Sequence, residues 1–154
     1  MSVLSIERID VGEARVEALV RVAEPALKTS TFPGLSARAF AALPGLVRHS
    51  CHNDAGVDLR RELADTETAH LLEHVAFELM ALAGSPRSLR GKTRWDFARD
   101  GRGTYHVELD YDDDLVAIGA LKAAAEVVEW LVSGEGAAPD IDAEVARLAG
   151  LRRS

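Results

Sequence analysis

The 154-residue sequence has one cysteine, no long apolar run and no excess of basic residues, and each absence narrows the range of functions. Because Cys51 is alone, no internal disulfide can form, and we expect a reducing compartment. The N-terminus has no basic segment followed by an apolar run, and no stretch approaches the roughly 18 apolar residues of a membrane span. These features predict a cytoplasmic protein with no membrane partner.

The charge balance argues against nucleic acid as a partner. The formal net charge is −7, whereas proteins that bind phosphate backbones need a basic face. One basic stretch runs from Arg87 to Arg102. It fits either a solvated loop or a small contact for an anion, and the sequence does not decide between them.

Hydrophobic periodicity predicts an α+β fold. Alternation within residues 14–23 indicates a half-buried strand, which pairs with residues 3–10 across a turn at 11–13. A second hairpin is predicted from strands at 93–98 and 104–111 joined by a turn at 99–103. Helices are predicted at 36–43, from 65 or 66 to 83, at 115–132 and at 141–151.

The predicted order is β-β-α-α-β-β-α-α. Two hairpins in one antiparallel four-stranded sheet, with the long helices on one face, would bury the apolar side of every element. We expect residues 1–133 to form a single domain, and residues 134–154 to be a linker followed by a short C-terminal helix.

The sequence H-x-x-E-H at His70, Glu73 and His74 is the motif with the clearest chemical meaning. On a helix the two histidines lie about 40° apart and one turn along the axis, so they can share a metal ion. The glutamate falls beside the open position of that metal, as in the inverted zinc-hydrolase motif. We therefore predict zinc, or another divalent transition metal, on His70 and His74, with Glu73 as the general base.

The two faces of this helix differ in polarity. The predicted core stripe consists of Leu72, Val75, Ala76, Leu79 and Ala83. The opposite face carries His70, His74, Phe77, Glu78 and Ala81. That face is either a metal site or a merely polar, solvated surface, and both interpretations stay open at this point.

The third metal ligand is not fixed by the sequence. A catalytic zinc site usually has three protein ligands. Glu129 and Glu126 would be available if the two long helices pack side by side, and the loop candidates are His49, Cys51 and His52. Cys51 could alternatively be a nucleophile with a histidine as base, although a lone cysteine is more often a small buried hydrophobe.

Several segments follow one another in a familiar order. They are Leu43-Pro44-Gly45-Leu46, His49-Ser50-Cys51, His70 to Leu79, Leu82-Ala83-Gly84, Gly91-Lys92-Thr93-Arg94 and Tyr105 to Tyr111. From about residue 1 to 133 the sequence resembles the N-terminal domain of cyanophycin synthetases. These ATP-dependent enzymes build a polymer of aspartate that carries arginine side chains, and their N-terminal domain is associated with binding the polymer and, in some members, with cleaving it.

The resemblance implies roles for individual residues. His70, Glu73 and His74 would be the hydrolytic centre, Glu78 would support it, and Arg94 would lie near the substrate. We accordingly predict Arg94, Glu78 and His49 as substrate-binding residues. The ATP-grasp and ligase domains of the synthetases do not appear in this sequence, so we do not expect it to carry out the synthesis. The identity of the substrate is not carried over from the family.

Three functions follow as alternatives. The leading prediction is a metal-dependent hydrolase of peptide or amide bonds that acts on a peptide or an amino-acid polymer. The second is a non-catalytic binding module for a charged peptide or polymer. The third is an interaction domain, such as a homodimer, in which the histidines are incidental.

Overall fold

The computed structural model describes residues 2–49 and 59–153, and these form a four-stranded antiparallel sheet with helices packed on one face. The strands are β1 (Leu4–Val11), β2 (Arg15–Val22), β3 (Gly91–Arg94) and β4 (Thr104–Asp110). The helices are α1 (Leu35–Ala42), α2 (Leu59–Glu62), α3 (Thr68–Leu82), α4 (Phe97–Asp100), α5 (Asp114–Ser133) and α6 (Ile141–Leu151). The predicted α+β class is confirmed.

The sheet has the order β1-β2-β4-β3, so β3 lies at one edge. The side chains of β2 and β4 alternate as a half-buried strand requires. Those on the helix-facing side are fully buried: Val16, Ala18, Val20, Tyr105, Val107 and Leu109. Their neighbours along each strand form the outer face of the sheet, which carries charged residues.

The second predicted hairpin is wrong in detail. We expected a strand at 93–98 followed by a turn, but β3 spans Gly91–Arg94 and the short helix α4 follows it. The Asp96 side chain accepts a hydrogen bond from the Arg99 main-chain N–H and begins α4. Helix capping by this aspartate overrides the strand pattern of Trp95 and Phe97.

The two long helices form the layer over the sheet. α5 begins where the Asp113 side chain accepts from the N–H groups of Leu115 and Val116, and it ends at Gly134 with a φ of 65°. α3 begins at Thr68, two or three residues later than predicted. Glu67 occupies its cap position but accepts a hydrogen bond from the Tyr105 hydroxyl at 2.6 Å instead of capping the helix.

The C-terminal helix α6 packs against α5 and α3. Leu148 is fully buried, and its side chain lies against Gly119 of α5 at a place where a β-carbon would not fit. Arg152 then donates to the Ala83 carbonyl at 3.0 Å. Across the described part of the chain, no helix combines the length and the apolar character needed to cross a membrane.

Candidate metal centre

Helix α3 brings His70, Glu73 and His74 together as its sequence spacing predicts. The Nε2 atoms of His70 and His74 are 3.0 Å apart, and Glu73 Oε2 lies 3.8 Å from His74 Nε2. One ligand atom from each of the three side chains can be chosen within 4.8 Å of the others. The helix therefore presents three potential metal donors at one point.

The helix face that carries these donors is not a solvated surface. His74, Glu73 and Glu78 are buried, and His70 is half-buried. The alternative interpretation of a solvated polar face does not hold, because the 3₁₀ turn Pro44–Arg48 and strand β3 both pack against this side of α3. Burial of three ionisable side chains is costly unless each has a polar partner, and the structure supplies such partners.

Both histidine rings are held through their Nδ1 atoms. Thr66 Oγ1 lies 2.9 Å from His70 Nδ1, and His49 Nδ1 lies 2.8 Å from His74 Nδ1. Histidines that bind metals usually have such a partner on the second ring nitrogen, which fixes the tautomer and the ring orientation. The contacts leave the two Nε2 atoms directed towards each other.

His49 connects the cluster to a buried ion pair. Its Nε2 lies 2.9 Å from Glu78 Oε1, and Arg87 donates to the two Glu78 oxygens at 2.8 and 3.2 Å. Burial opposes ionisation of Glu78, but the hydrogen bonds from His49 and Arg87 outweigh it and lower the pKa of this carboxyl. Glu78 is therefore an anchored carboxylate that orients His49.

A glycine makes room for this carboxylate. A β-carbon built on Gly45, in the 3₁₀ turn, would overlap the Glu78 carboxyl group. The Pro44-Gly45 pair, which we interpreted only as the end of α1, thus also lets the turn approach α3 closely enough for His49 to reach His74.

Glu73 has the environment of a general base. The Thr93 hydroxyl of β3 donates to Glu73 Oε1 at 2.8 Å. Burial raises the pKa of Glu73 to about 7, against the lowering effect of the Thr93 hydrogen bond. A base whose pKa lies near neutrality can both take and return a proton at physiological pH.

The environment of both histidines favours the neutral form, which is the form that binds metals. Burial lowers the pKa of His70, and burial together with the neighbouring rings of His70 and His49 lowers the pKa of His74 well below its usual range. Neutral imidazoles have a free lone pair for a metal. On a tetrahedral ion with metal–nitrogen bonds of about 2.05 Å, two such nitrogens are about 3.3 Å apart, close to the observed separation. The donor set therefore fits a divalent transition metal.

The glutamates of α5 do not join this cluster. Glu129 Oε1 accepts hydrogen bonds from the main-chain N–H groups of Val3 and Leu4 at 2.6 and 3.1 Å, and Glu126 is exposed. α5 packs beside α3 as expected, but Glu129 faces the start of β1. Cys51 and His52, the other loop candidates, lie outside the described residues.

The three predicted substrate-binding residues have different surroundings. His49 and Glu78 lie behind His74 in the network described above. Arg94 is separated from the cluster, because it pairs in register with His106 and forms an ion pair with Glu17 on the outer face of the sheet. Since side chains alternate along a strand, Thr93 faces α3 and Arg94 must face away from it.

A cleft of about 640 Å³ opens beside the cluster, between α3 and β3. Among the described residues, its charged lining consists of Arg48, Glu62, Glu73, Arg87, Arg90 and Lys92. Trp95, whose side chain is 46% exposed, also lines it. Half of the basic stretch noted in the sequence is thus at the cleft, while Arg94, Arg99 and Arg102 form ion pairs elsewhere.

Comparison with known proteins agrees with this arrangement. The family model described as "Cyanophycin synthase-like N-terminal domain" matches residues 18–133, which include every residue of the cluster and its partners. This chain belongs to that family. The family assignment confirms the resemblance in the sequence, and it concerns the domain rather than the metal.

Two curated proteins of the family show the extent of the similarity. A cyanophycin synthetase of Synechocystis sp. is 32% identical over 105 residues, which cover 68% of this chain and 12% of that protein. A cyanophycin synthetase of Geminocystis herdmanii is 36% identical over 84 residues, which cover 54% of this chain and 9% of that protein. The chain therefore spans only a small part of the length of these relatives.

Thr66 and Thr93 contact the cluster, and sequence reasoning missed both of them. Thr66 lies one helical turn before His70, so the i to i+4 relation could have indicated it. Thr93 stands in the Gly91 to Arg94 segment that carries the family resemblance, but its contact with Glu73 depends on how β3 packs on α3. No local sequence signal gives that packing.

Proposed function

We propose that this domain is a metal-dependent hydrolase of peptide or amide bonds. The observation that carries the proposal is the pair of histidine Nε2 atoms facing each other at 3.0 Å, with both Nδ1 atoms held by other side chains and a buried glutamate beside them. Zinc is the metal that best suits two imidazoles next to an open position. The single cysteine suits a cytoplasmic setting.

His70 and His74 would hold the metal, and Glu73 would move the proton. A divalent ion bound there supplies Lewis acidity, which polarises the scissile carbonyl and makes water more acidic. Glu73 takes a proton from the attacking water and passes it to the nitrogen of the leaving amine, so one amide and one water become an acid and an amine. Thr93 keeps the carboxyl group in place through its hydrogen bond to Oε1.

The substrate is proposed to be a peptide or an amino-acid polymer. The curated relatives are named cyanophycin synthetases, so cyanophycin is the first polymer to assay. The cations Arg48, Arg90 and Lys92 in the cleft also support the second candidate, a binding module for a charged polymer without hydrolysis.

The decisive experiment measures metal content and hydrolysis on the same preparations. We expect about one equivalent of transition metal in the wild type by elemental analysis and none in His70→Ala/His74→Ala. His106→Gln is the control, because His106 lies on the outer face of the sheet near Asp100.

Glu73→Gln separates the two candidates. It should retain the metal while hydrolysis of cyanophycin or of a peptide library falls by about 10²–10⁴-fold, the usual contribution of a general base. Metal binding with no hydrolysis in the wild type, together with polymer binding in both proteins, would favour the binding module. Absence of metal even after reconstitution would defeat the hydrolase.

A further inference from the structure

The free edge of β3 forms one wall of the cleft beside the metal centre. β3 pairs with β4 on one side and is the last strand of the described sheet on the other. Gly91, Lys92 and Thr93 line the cleft together with His70 and Glu73. An unpaired strand edge is a template for another extended chain.

The phase of the β3–β4 ladder shows which main-chain groups are free. Residues of an antiparallel strand alternate between those bonded to the partner and those facing away from it. The Asp110 N–H donates to the Arg90 carbonyl at 2.8 Å, so residues 90, 92 and 94 face β4. The N–H and C=O groups of Gly91 and Thr93 therefore face the open edge, and within residues 2–49 and 59–153 no hydrogen bond joins them to another segment.

The position of β3 against α3 is fixed closely at this edge. A β-carbon on Gly91 would overlap the Phe77 ring of α3. The Thr93 side chain contacts Glu73 at 2.8 Å, so a chain paired with Thr93 would pass directly beside the proposed general base. The edge of β3 and the candidate metal centre are thus joined by direct contacts.

The charge of the cleft indicates the chemistry of its occupant. Among the residues that the structure describes, its lining has four cations, Arg48, Arg87, Arg90 and Lys92, and two carboxylates, although the whole chain has a net charge of −7. Arg87 is paired with Glu78, whereas Arg48, Arg90 and Lys92 are exposed and form no ion pair with a described residue. Cations along a groove of an acidic protein that have no ion pair with a described residue favour a ligand that carries carboxylates.

We propose that the cleft binds an extended peptide that carries carboxylates, and that this peptide pairs with the free edge of β3 through the main-chain groups of Gly91 and Thr93. Main-chain hydrogen bonds supply affinity in this mode of recognition, and the side-chain contacts supply specificity. The inference rests on the proposed function only for the position of the scissile bond, because the pairing itself needs no hydrolysis.

The test uses the full chain with Glu73→Gln, so that binding is measured whether or not the wild type cleaves the ligand. The probe is blocked hexa-glutamate, compared with the same peptide N-methylated at alternate amides and with hexa-lysine. Amide exchange by NMR should slow by about tenfold or more at Gly91 and Thr93 when hexa-glutamate binds, while Lys92, already bonded to β4, should change little.

Two further comparisons complete the test. The N-methylated peptide and hexa-lysine should each bind at least about tenfold more weakly than hexa-glutamate, because one lacks amide donors and the other has the wrong charge. Arg90→Gln/Lys92→Gln should weaken binding similarly, whereas Lys122→Gln, an exposed lysine of α5, should not. Failure of hexa-glutamate to bind at millimolar concentration, equal binding of the N-methylated peptide, or unchanged exchange at Gly91 and Thr93 would each overturn the inference.

Discussion

His49 shows how one residue outside the motif can orient the histidine that would bind the metal. If His74 binds a metal through Nε2, its Nδ1 carries the hydrogen and must donate it. His49 then accepts at Nδ1 and donates from Nε2 to Glu78, which Arg87 holds in place. Each ring nitrogen is then either a donor or an acceptor, and the hydrogen bonds lead from His74 through His49 to Glu78.

We predict that His49→Phe weakens metal binding without unfolding the domain. The phenyl ring fills the space, but the His74 N–H loses its acceptor, and loss of such a partner typically costs about 10–100-fold in metal affinity. Competition with a chromogenic chelator measures this affinity, and circular dichroism monitors the fold.

The matched control for His49→Phe is His106→Phe on the outer face of the sheet. This variant should leave the metal affinity unchanged, because His106 is bonded to Asp100 and not to the cluster. Equal affinity of His49→Phe and the wild type would show that His49 does not orient His74.

At the scale of elements, close approach between segments decides whether the site forms. The turn Pro44–Arg48 and strand β3 reach α3 only because Gly45 and Gly91 have no side chains at the contact points. These approaches bury one face of α3 that its sequence would leave exposed. Both the apolar stripe and the polar face of α3 are therefore covered by other parts of the fold.

We predict that Gly45→Ala destabilises the fold and at the same time disturbs the candidate metal centre. The new methyl group overlaps the Glu78 carboxyl group, so the turn or the ion pair must shift, at a cost of about 1–3 kcal/mol. Urea unfolding measures the cost, and metal affinity should fall because His49 moves with the turn.

Gly150→Ala is the comparison for this substitution. Gly150 lies in α6, and a β-carbon there has no neighbour within 4 Å. It should leave stability unchanged or raise it by up to about 1 kcal/mol through helix propensity. An unaltered unfolding midpoint for Gly45→Ala would contradict the close packing between the turn and Glu78.

At the scale of the whole molecule, the C-terminal helix is a part of the folded body. α6 rests on α5 and α3, with Leu148 fully buried, and Arg152 bridges to the end of α3 by donating to the Ala83 carbonyl. Residues 134–140 connect α5 to α6, and α6 covers apolar surface of the domain.

We predict that Leu148→Ala lowers the free energy of unfolding by about 2–4 kcal/mol, because it leaves a cavity between α5 and α6. Urea unfolding followed by circular dichroism measures the change. Leu82→Ala provides the control, since the Leu82 side chain is 46% exposed and its truncation should cost less than about 1 kcal/mol. Similar losses in both variants would mean that α6 is not packed as described.

Local patterns in the sequence determined much of this protein. The alternation in β2 predicted its buried residues, the spacing of the apolar positions predicted the core side of α3, and the signals at the two ends predicted α5. The H-x-x-E-H spacing alone brings His70, Glu73 and His74 to one point, because one turn of helix fixes their separation. Segments as local as these need no information about distant residues.

Tertiary structure decided the surroundings of His70, Glu73 and His74. The partner of His74 came from residue 49 and that of Glu73 from residue 93, whereas Glu129 and Arg94, predicted from proximity and resemblance, face other parts of the fold. Alternation of the side chains along β3 directs Thr93 towards α3 and Arg94 to the outer face of the sheet. Capping of α4 by Asp96 ends the strand earlier than predicted. Such contacts depend on the relative orientation of elements distant in sequence, which is set by packing the whole core and not by any local pattern.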